Sequence, residues 1–157
     1  MDLNGLPRAR HPELLGPVLF GLDDTVAEFV QNILRTDLHL GPYTALGVIR
    51  DDELVGGVLY HDYYRDVGNI QMTVASTTPR WLSREVIQIC MNYPFTELGC
   101  RRVTSLVRED NPHAQRFNER LGFILEGRIR QGAGVHGDQL LYGMLKDECR
   151  WITRQVH

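Results

Sequence analysis

A chain of 157 residues, 43% of them apolar, is the size of one domain with one substantial core and is too short for two. Its 17 basic and 20 acidic residues leave a formal charge of −3 and are mixed along the length, so no global field draws it to nucleic acid or to an anionic membrane. No run approaches the ~20 apolar residues of a membrane span and no basic start precedes an apolar stretch at the N-terminus, so the expectation is a cytoplasmic protein forming a single domain over residues 1–157.

After an irregular start containing Pro and Gly, Leu22 to Leu34 carries Val26, Phe29, Val30 and Ile33 at helical spacing, with Asp23 and Asp24 placed to cap it. Thr44 to Arg50 and Leu54 to Asp62 are apolar, β-branched runs separated by Asp51-Asp52-Glu53, which reads as a hairpin turn. Asn69 to Ser76 sets Ile70, Met72 and Val74 against Gln71, Thr73 and Ala75, a third antiparallel strand. The period then changes. Trp81, Val86, Ile87, Cys90, Met91 and Phe95 recur at helical spacing, and Thr77-Thr78-Pro79 offers a cap followed by proline at the first helical position. Gly99 ends that helix, Arg102 to Arg108 alternates as a strand, and Asp110-Asn111-Pro112 opens a third helix that stops at Gly122.

Two last strands, near Phe123 to Arg130 and Gln139 to Leu145, flank the Gly-rich loop from Gln131 to Gly137. The order predicts an α/β domain of α+β type: a mixed, mostly antiparallel sheet with helices on both faces. Cys90, Cys100 and Cys149 match neither a disulfide framework nor a zinc site, which argues for a reducing compartment. Cys90, among apolar residues, reads as a buried structural thiol.

The segment from Glu109 through Asn111, Ala114, Phe117 and Asn118 to Leu121-Gly122-Phe123 resembles the Asn-x-x-Ala…Leu-Gly-Phe segment of the GCN5-related N-acetyltransferases, the GNAT family. Leu125-Glu126-Gly127-Arg128-Ile129-Arg130, Leu141-Tyr142-Gly143-Met144-Leu145 and the stretch from Tyr93 to Val103 extend the resemblance from about Gln71 to Trp151. It looks most like the branch that acetylates ribosomal-protein N-termini and small amines. The resemblance implies the acyl-CoA N-acyltransferase fold, acetyl-CoA as cosubstrate, and direct transfer to a small-molecule or peptide amine.

By the same resemblance the cosubstrate lies where the strand ending at Val74 to Ser76 splays from the strand at Arg102 to Arg108. Its pyrophosphate meets the start of the next helix, where unsatisfied N–H groups and the helix dipole favour an anion. The implied contacts are Thr73, Val74, the N–H groups of Trp81, Leu82 and Ser83, the charges of Arg80 and Arg84, and Asn111. Here the chain departs from the family pattern, Arg/Gln-x-x-Gly-x-Gly/Ala, because Pro79 and Trp81 occupy the glycine positions and Ser83 the small one. Arg80 and Arg84 serve equally well as a solvated helix face, and Asn111 as a plain cap before Pro112.

For catalysis the resemblance offers His61 as the base, with Gln71 on the neighbouring strand unable to titrate. Tyr142 is a candidate proton donor, since Asn118 stands where many relatives carry an acidic tyrosine. His136 in the Gly-rich loop is a candidate substrate contact. No metal, nucleic acid or membrane is expected, and exposed strand edges in the last hairpin invite a homodimer. The departures at Pro79, Trp81 and Asn118 keep a second reading open: a non-catalytic binding or regulatory module on the same fold.

Overall fold

The computed structural model describes residues 12–152. Its elements in chain order are β1 (Glu13–Leu15), β2 (Val18–Phe20), α1 (Asp23–Leu34), β3 (Tyr43–Arg50), β4 (Glu53–Tyr64), β5 (Asn69–Ser76), α2 (Arg84–Asn92) running into a π-helical turn (Tyr93–Glu97), β6 (Arg102–Arg108), α3 (Pro112–Leu121), β7 (Ile124–Ile129) and β8 (Gln139–Leu145).

The β3–β4 turn shows how local chemistry sets the register. Asp51 and Asp52 both take left-handed backbone, φ 49° and 62°, which a tight hairpin turn requires and which Asp tolerates better than most residues. The turn closes Arg50 against Glu53, and beyond a register shift between Val48 and Ile49 the pairing runs down to Tyr43 against His61. The resulting 8-stranded sheet has the order β1-β2-β3-β4-β5-β6-β8-β7, and only β5 and β6 run parallel. The fold is therefore the expected mixed, mostly antiparallel α/β arrangement.

Each face is covered by its own helices. Val26, Ala27 and Val30 of α1 pack on Ala45, Leu59 and Ala75. On the other face α2 and α3 enclose the larger core, including Tyr60, Met72, Val86, Met91, Val103, Leu121 and Tyr142. Adjacent glycines in β4 admit both layers: a Cβ on Gly57 would stand 2.6 Å from Val30, and one on Gly56 2.3 Å from the Trp81 ring.

Three expectations are corrected. The start of the chain, read as irregular, contains the β1–β2 hairpin, whose strands of 3 residues are too short to show a period. The second helix begins at Arg84 rather than around Pro79, so Thr77-Thr78-Pro79 is not its cap. Ser83 is, with extended backbone and its hydroxyl accepting from the Val86 N–H at 3.2 Å. Finally, β4 continues past Asp62 to Tyr64 through a bulge between His61 and Tyr64.

Candidate active site

The site begins where the parallel pairing stops. β5 and β6 pair at Asn69 with Arg102, Ile70 with Val103 and Gln71 with Thr104, and no further. Backbone groups on a strand alternate sides. The Thr77 N–H bonds to the Val55 carbonyl at 2.9 Å on the β4 side, and β4–β5 register is unbroken from Ser76 to Gln71, so Val74 turns its N–H and C=O toward β6. The Glu109 N–H meets the Asp138 carbonyl at 3.0 Å on the far side of β6, so Leu106 turns toward β5. Val74 and Leu106 thus edge a slot whose backbone donors and acceptors face a gap in the ladder.

A cavity of about 420 Å³ runs through this slot. On the α1 side it is lined by His61, Asp62, Gln71, Thr73, Arg108 and the segment Leu34 to Leu40, on the α3 side by Ser105, Asn111, Ala114 and Asn118, and at its rim by Gly132, Ala133 and His136. Arg108 ties the walls together, donating to the Leu34 carbonyl at 3.3 Å and pairing with Asp110 at 3.1 Å.

His61 is 6% exposed and fully engaged: Nδ1 lies 2.6 Å from Asp62 Oδ2 and Nε2 2.8 Å from Thr73 Oγ1. The Thr73 contact is a diagonal one across the β4–β5 pair. The Asp62 contact needs more, because neighbours on a regular strand point to opposite faces. Asp62 adopts φ 50° within the β4 bulge, and that left-handed turn brings its carboxylate back onto the preceding ring. Such a backbone costs roughly 1–2 kcal/mol in an L-residue.

On the opposite wall Asn118, 1% exposed, donates from Nδ2 to Ser105 Oγ at 3.0 Å. Asn111 caps α3, its Oδ1 accepting from the Ala114 N–H at 3.2 Å, and lines the cavity as well. Tyr142 does not line it. That ring is 1% exposed behind Ser105, and its hydroxyl reaches Glu119 at a long 3.5 Å. Burial first, then the Glu119 charge, pushes the phenol above its ordinary 10.0.

Of the residues expected to hold the cosubstrate, Thr73, Val74 and Asn111 line the cavity; Arg80, Trp81, Leu82, Ser83 and Arg84 do not. Trp81 is 5% exposed, lies over Gly56 and stacks on Phe117 with ring centroids 5.5 Å apart and planes at 19°. Ser83 spends its hydroxyl on the helix cap, Leu82 packs against the core, and Arg80 and Arg84 are exposed on either side of them. The open slot edge suits the amide groups of a pantetheine arm, and the two guanidiniums suit phosphates, although Glu85 adds an acid to the first turn of α2. Among the described residues no group of three or more His, Cys, Asp or Glu is arranged to hold a metal ion.

Sequence reading missed Asp62, Ser105, Arg108 and the segment after α1. Asp62 had a signal of a kind, an acid directly beside a histidine inside an apolar run, but strand geometry argued against their contact.

Residues 11–124 match the family model of the acetyltransferase (GNAT) domain. The SPbeta prophage-derived uncharacterized N-acetyltransferase YokL of Bacillus subtilis (strain 168) is 26% identical over 131 residues, 80% of this chain and 72% of that protein. YdaF of the same organism, named for ribosomal N-acetyltransferase activity, is 27% identical over 114 residues, 65% of this chain and 59% of its own length. Among solved structures, a chimera of the spermidine N-acetyltransferase SpeG from Vibrio cholerae and hSSAT superposes with a TM-score of 0.64 at 18% identity, over 80% of this chain and 93% of that one. At such identity the likeness speaks for the fold.

Proposed function

Because the chain belongs to the GNAT acetyltransferase family, we propose that it moves an acetyl group from acetyl-CoA directly onto an amine within the β5–β6 slot. The observation that carries this reading is the Val74 N–H, turned into a gap between parallel strands where a thioester oxygen can accept from it. Thr73 and Val74 flank the thioester, Asn111 lies along the pantetheine path, and Arg80 and Arg84 meet the phosphates from the surface. Leu82 and Ser83 then act by shaping the start of α2.

The acceptor amine enters from the α1 side, where His61 is the base. Its nitrogen attacks the carbonyl carbon, the C–N bond forms, the C–S bond breaks, and the amine's proton passes toward His61. Tyr142 would have to pass the Ser105–Asn118 pair to reach the leaving thiolate, so the thiolate takes its proton from solvent. A cysteine acyl-enzyme has no support: burial pushes the Cys90 thiol up to about 12 and the Cys100 thiol up to about 11, far from the reactive thiolate range. All three cysteines are buried and none is in a disulfide, in keeping with a cytoplasmic setting.

The acceptor belongs to the class of small-molecule or peptide amines, and spermidine, the substrate named for SpeG, is the first to try. The test is thermal melting with acetyl-CoA, followed by CoA release over an amine panel. A ligand at a hundred times its Kd adds about 2.7 kcal/mol to the folded state, so a clear rise in Tm is expected. No rise at millimolar acetyl-CoA would replace this reading with the non-catalytic binding module.

A further inference from the structure

Both nitrogens of the His61 ring are occupied, so the ring as it stands offers the amine no lone pair. We propose that the Thr73 hydroxyl, rather than the imidazole, is the group that touches the amine, and that Asp62, His61 and Thr73 form a proton relay. The proposal rests on the acetyl-transfer reading of the same slot.

Three observations converge on it. The hydrogen-bond series is continuous, 2.6 Å from Asp62 to Nδ1 and 2.8 Å from Nε2 to Thr73 Oγ1. For the neutral ring its direction follows from chemistry: an ionised carboxylate only accepts, so the ring proton sits on Nδ1 and Nε2 accepts from the threonine hydroxyl. That leaves the lone pairs of Oγ1 able to accept, on a residue that lines the cavity. Next, Thr73 immediately precedes Val74, whose N–H faces the slot, so hydroxyl and oxyanion donor flank one carbonyl group. Last, Asp62 holds a left-handed backbone at a bulge, and without that bulge its carboxylate would lie on the other face of the sheet.

The step balances. An N–H bond of the attacking amine breaks as Oγ1–H forms, the original Oγ1–H breaks as Nε2–H forms, and the imidazolium is neutralised by the Asp62 carboxylate. Thr73 is then a catalytic residue and Asp62 a positioning one. The other titratable or charged groups lining the same cavity are Arg108 of β6, His39 after α1 and His136 at the rim. Arg108 is committed to Leu34 and Asp110, and His136 to Asp110.

The experiment compares wild type, Thr73→Val, Thr73→Ser and Asp62→Asn, using spermidine as an acceptor protonated at neutral pH and hydroxylamine as one that is not. Thr73→Val, nearly isosteric, should lower kcat with spermidine about 10²-fold, while the KM for acetyl-CoA and the acetyl-CoA melting shift stay within twofold. Thr73→Ser should restore most of the rate, and Asp62→Asn should lose at least tenfold. Both deficits should shrink with hydroxylamine. Full turnover by Thr73→Val, or equal losses in the Val and Ser variants, would overturn the relay and leave acetyl transfer standing. Absence of CoA release and of a melting shift in wild type would remove both. Independently of turnover, imidazole ¹⁵N spectra should show the proton of His61 on Nδ1; an Nε2–H form overturns the proposal.

Discussion

The two sides of the β5–β6 slot are built on opposite plans. Toward α1 the slot opens on a hydrogen-bonded histidine, two hydroxyl- and amide-bearing side chains of β5, and Arg108. Toward α2 and α3 the residues nearest the expected phosphate loop are spent on packing, with Trp81 wedged between Gly56 and Phe117. The difference teaches that one segment cannot serve both ends. Where a glycine loop would leave room beside its N–H groups, this chain has a ring held in the core, with two exposed arginines beside it.

The comparison breaks most easily on the packed side. Trp81→Ala removes a buried ring from a layer with no small group ready to replace it, and should cost about 3–5 kcal/mol of stability in urea unfolding. A loss under 1 kcal/mol would mean the ring is a cover and not part of the core. Asn118→Ala should follow at about 1–3 kcal/mol, because it strands the buried Ser105 hydroxyl without its partner; thermal denaturation of the variant checks it. On the α1 side Thr73→Val takes the Nε2 partner from the buried His61 ring and should cost about 1–3 kcal/mol, less than Trp81→Ala, so against that variant stability and turnover rank the two sides in opposite order.

The smallest effect is expected at the surface. Arg102 grips Glu126 in a two-pronged ion pair, with one contact at 3.1 Å, and that hydrogen bond holds the Glu126 carboxyl below its ordinary 4.5. A carboxyl lowered in the folded state adds stability above its unfolded value and loses it as pH falls through the folded one. Glu126→Gln should therefore cost under about 1 kcal/mol at neutral pH, and the Tm difference from wild type should close in strongly acid solution.

Much of the fold was legible because local signals agreed with each other. Asp51-Asp52 turned β3 into β4, Asn111-Pro112 opened α3, Gly122 closed it at φ 103°, and the alternation of β5 and β6 survived intact. At α2 sequence reading took Thr77-Thr78-Pro79 as the cap and passed over Ser83. Tertiary packing chose between them: with Trp81 docked on Gly56 the chain could not begin a helix at Pro79. The β1–β2 hairpin was invisible because its strands are too short to alternate. In the site, His61, Thr73, Val74 and Asn111 were found through family register. Asp62 was not, since a strand rule that is right almost everywhere fails where a residue inside the strand takes a left-handed backbone.

Only three residue pairs join β5 to β6, at Asn69, Ile70 and Gln71. Along the sheet the protein is therefore two plates stitched at one end, β1 to β5 and β6 to β8. A molecule laid along Val74 and Leu106 would add the missing stitches, so occupancy should slow amide hydrogen exchange across the seam and not merely at the contacted atoms. Recognition and mechanical closure of the sheet would then be a single event, and the unoccupied protein would be softest where it binds.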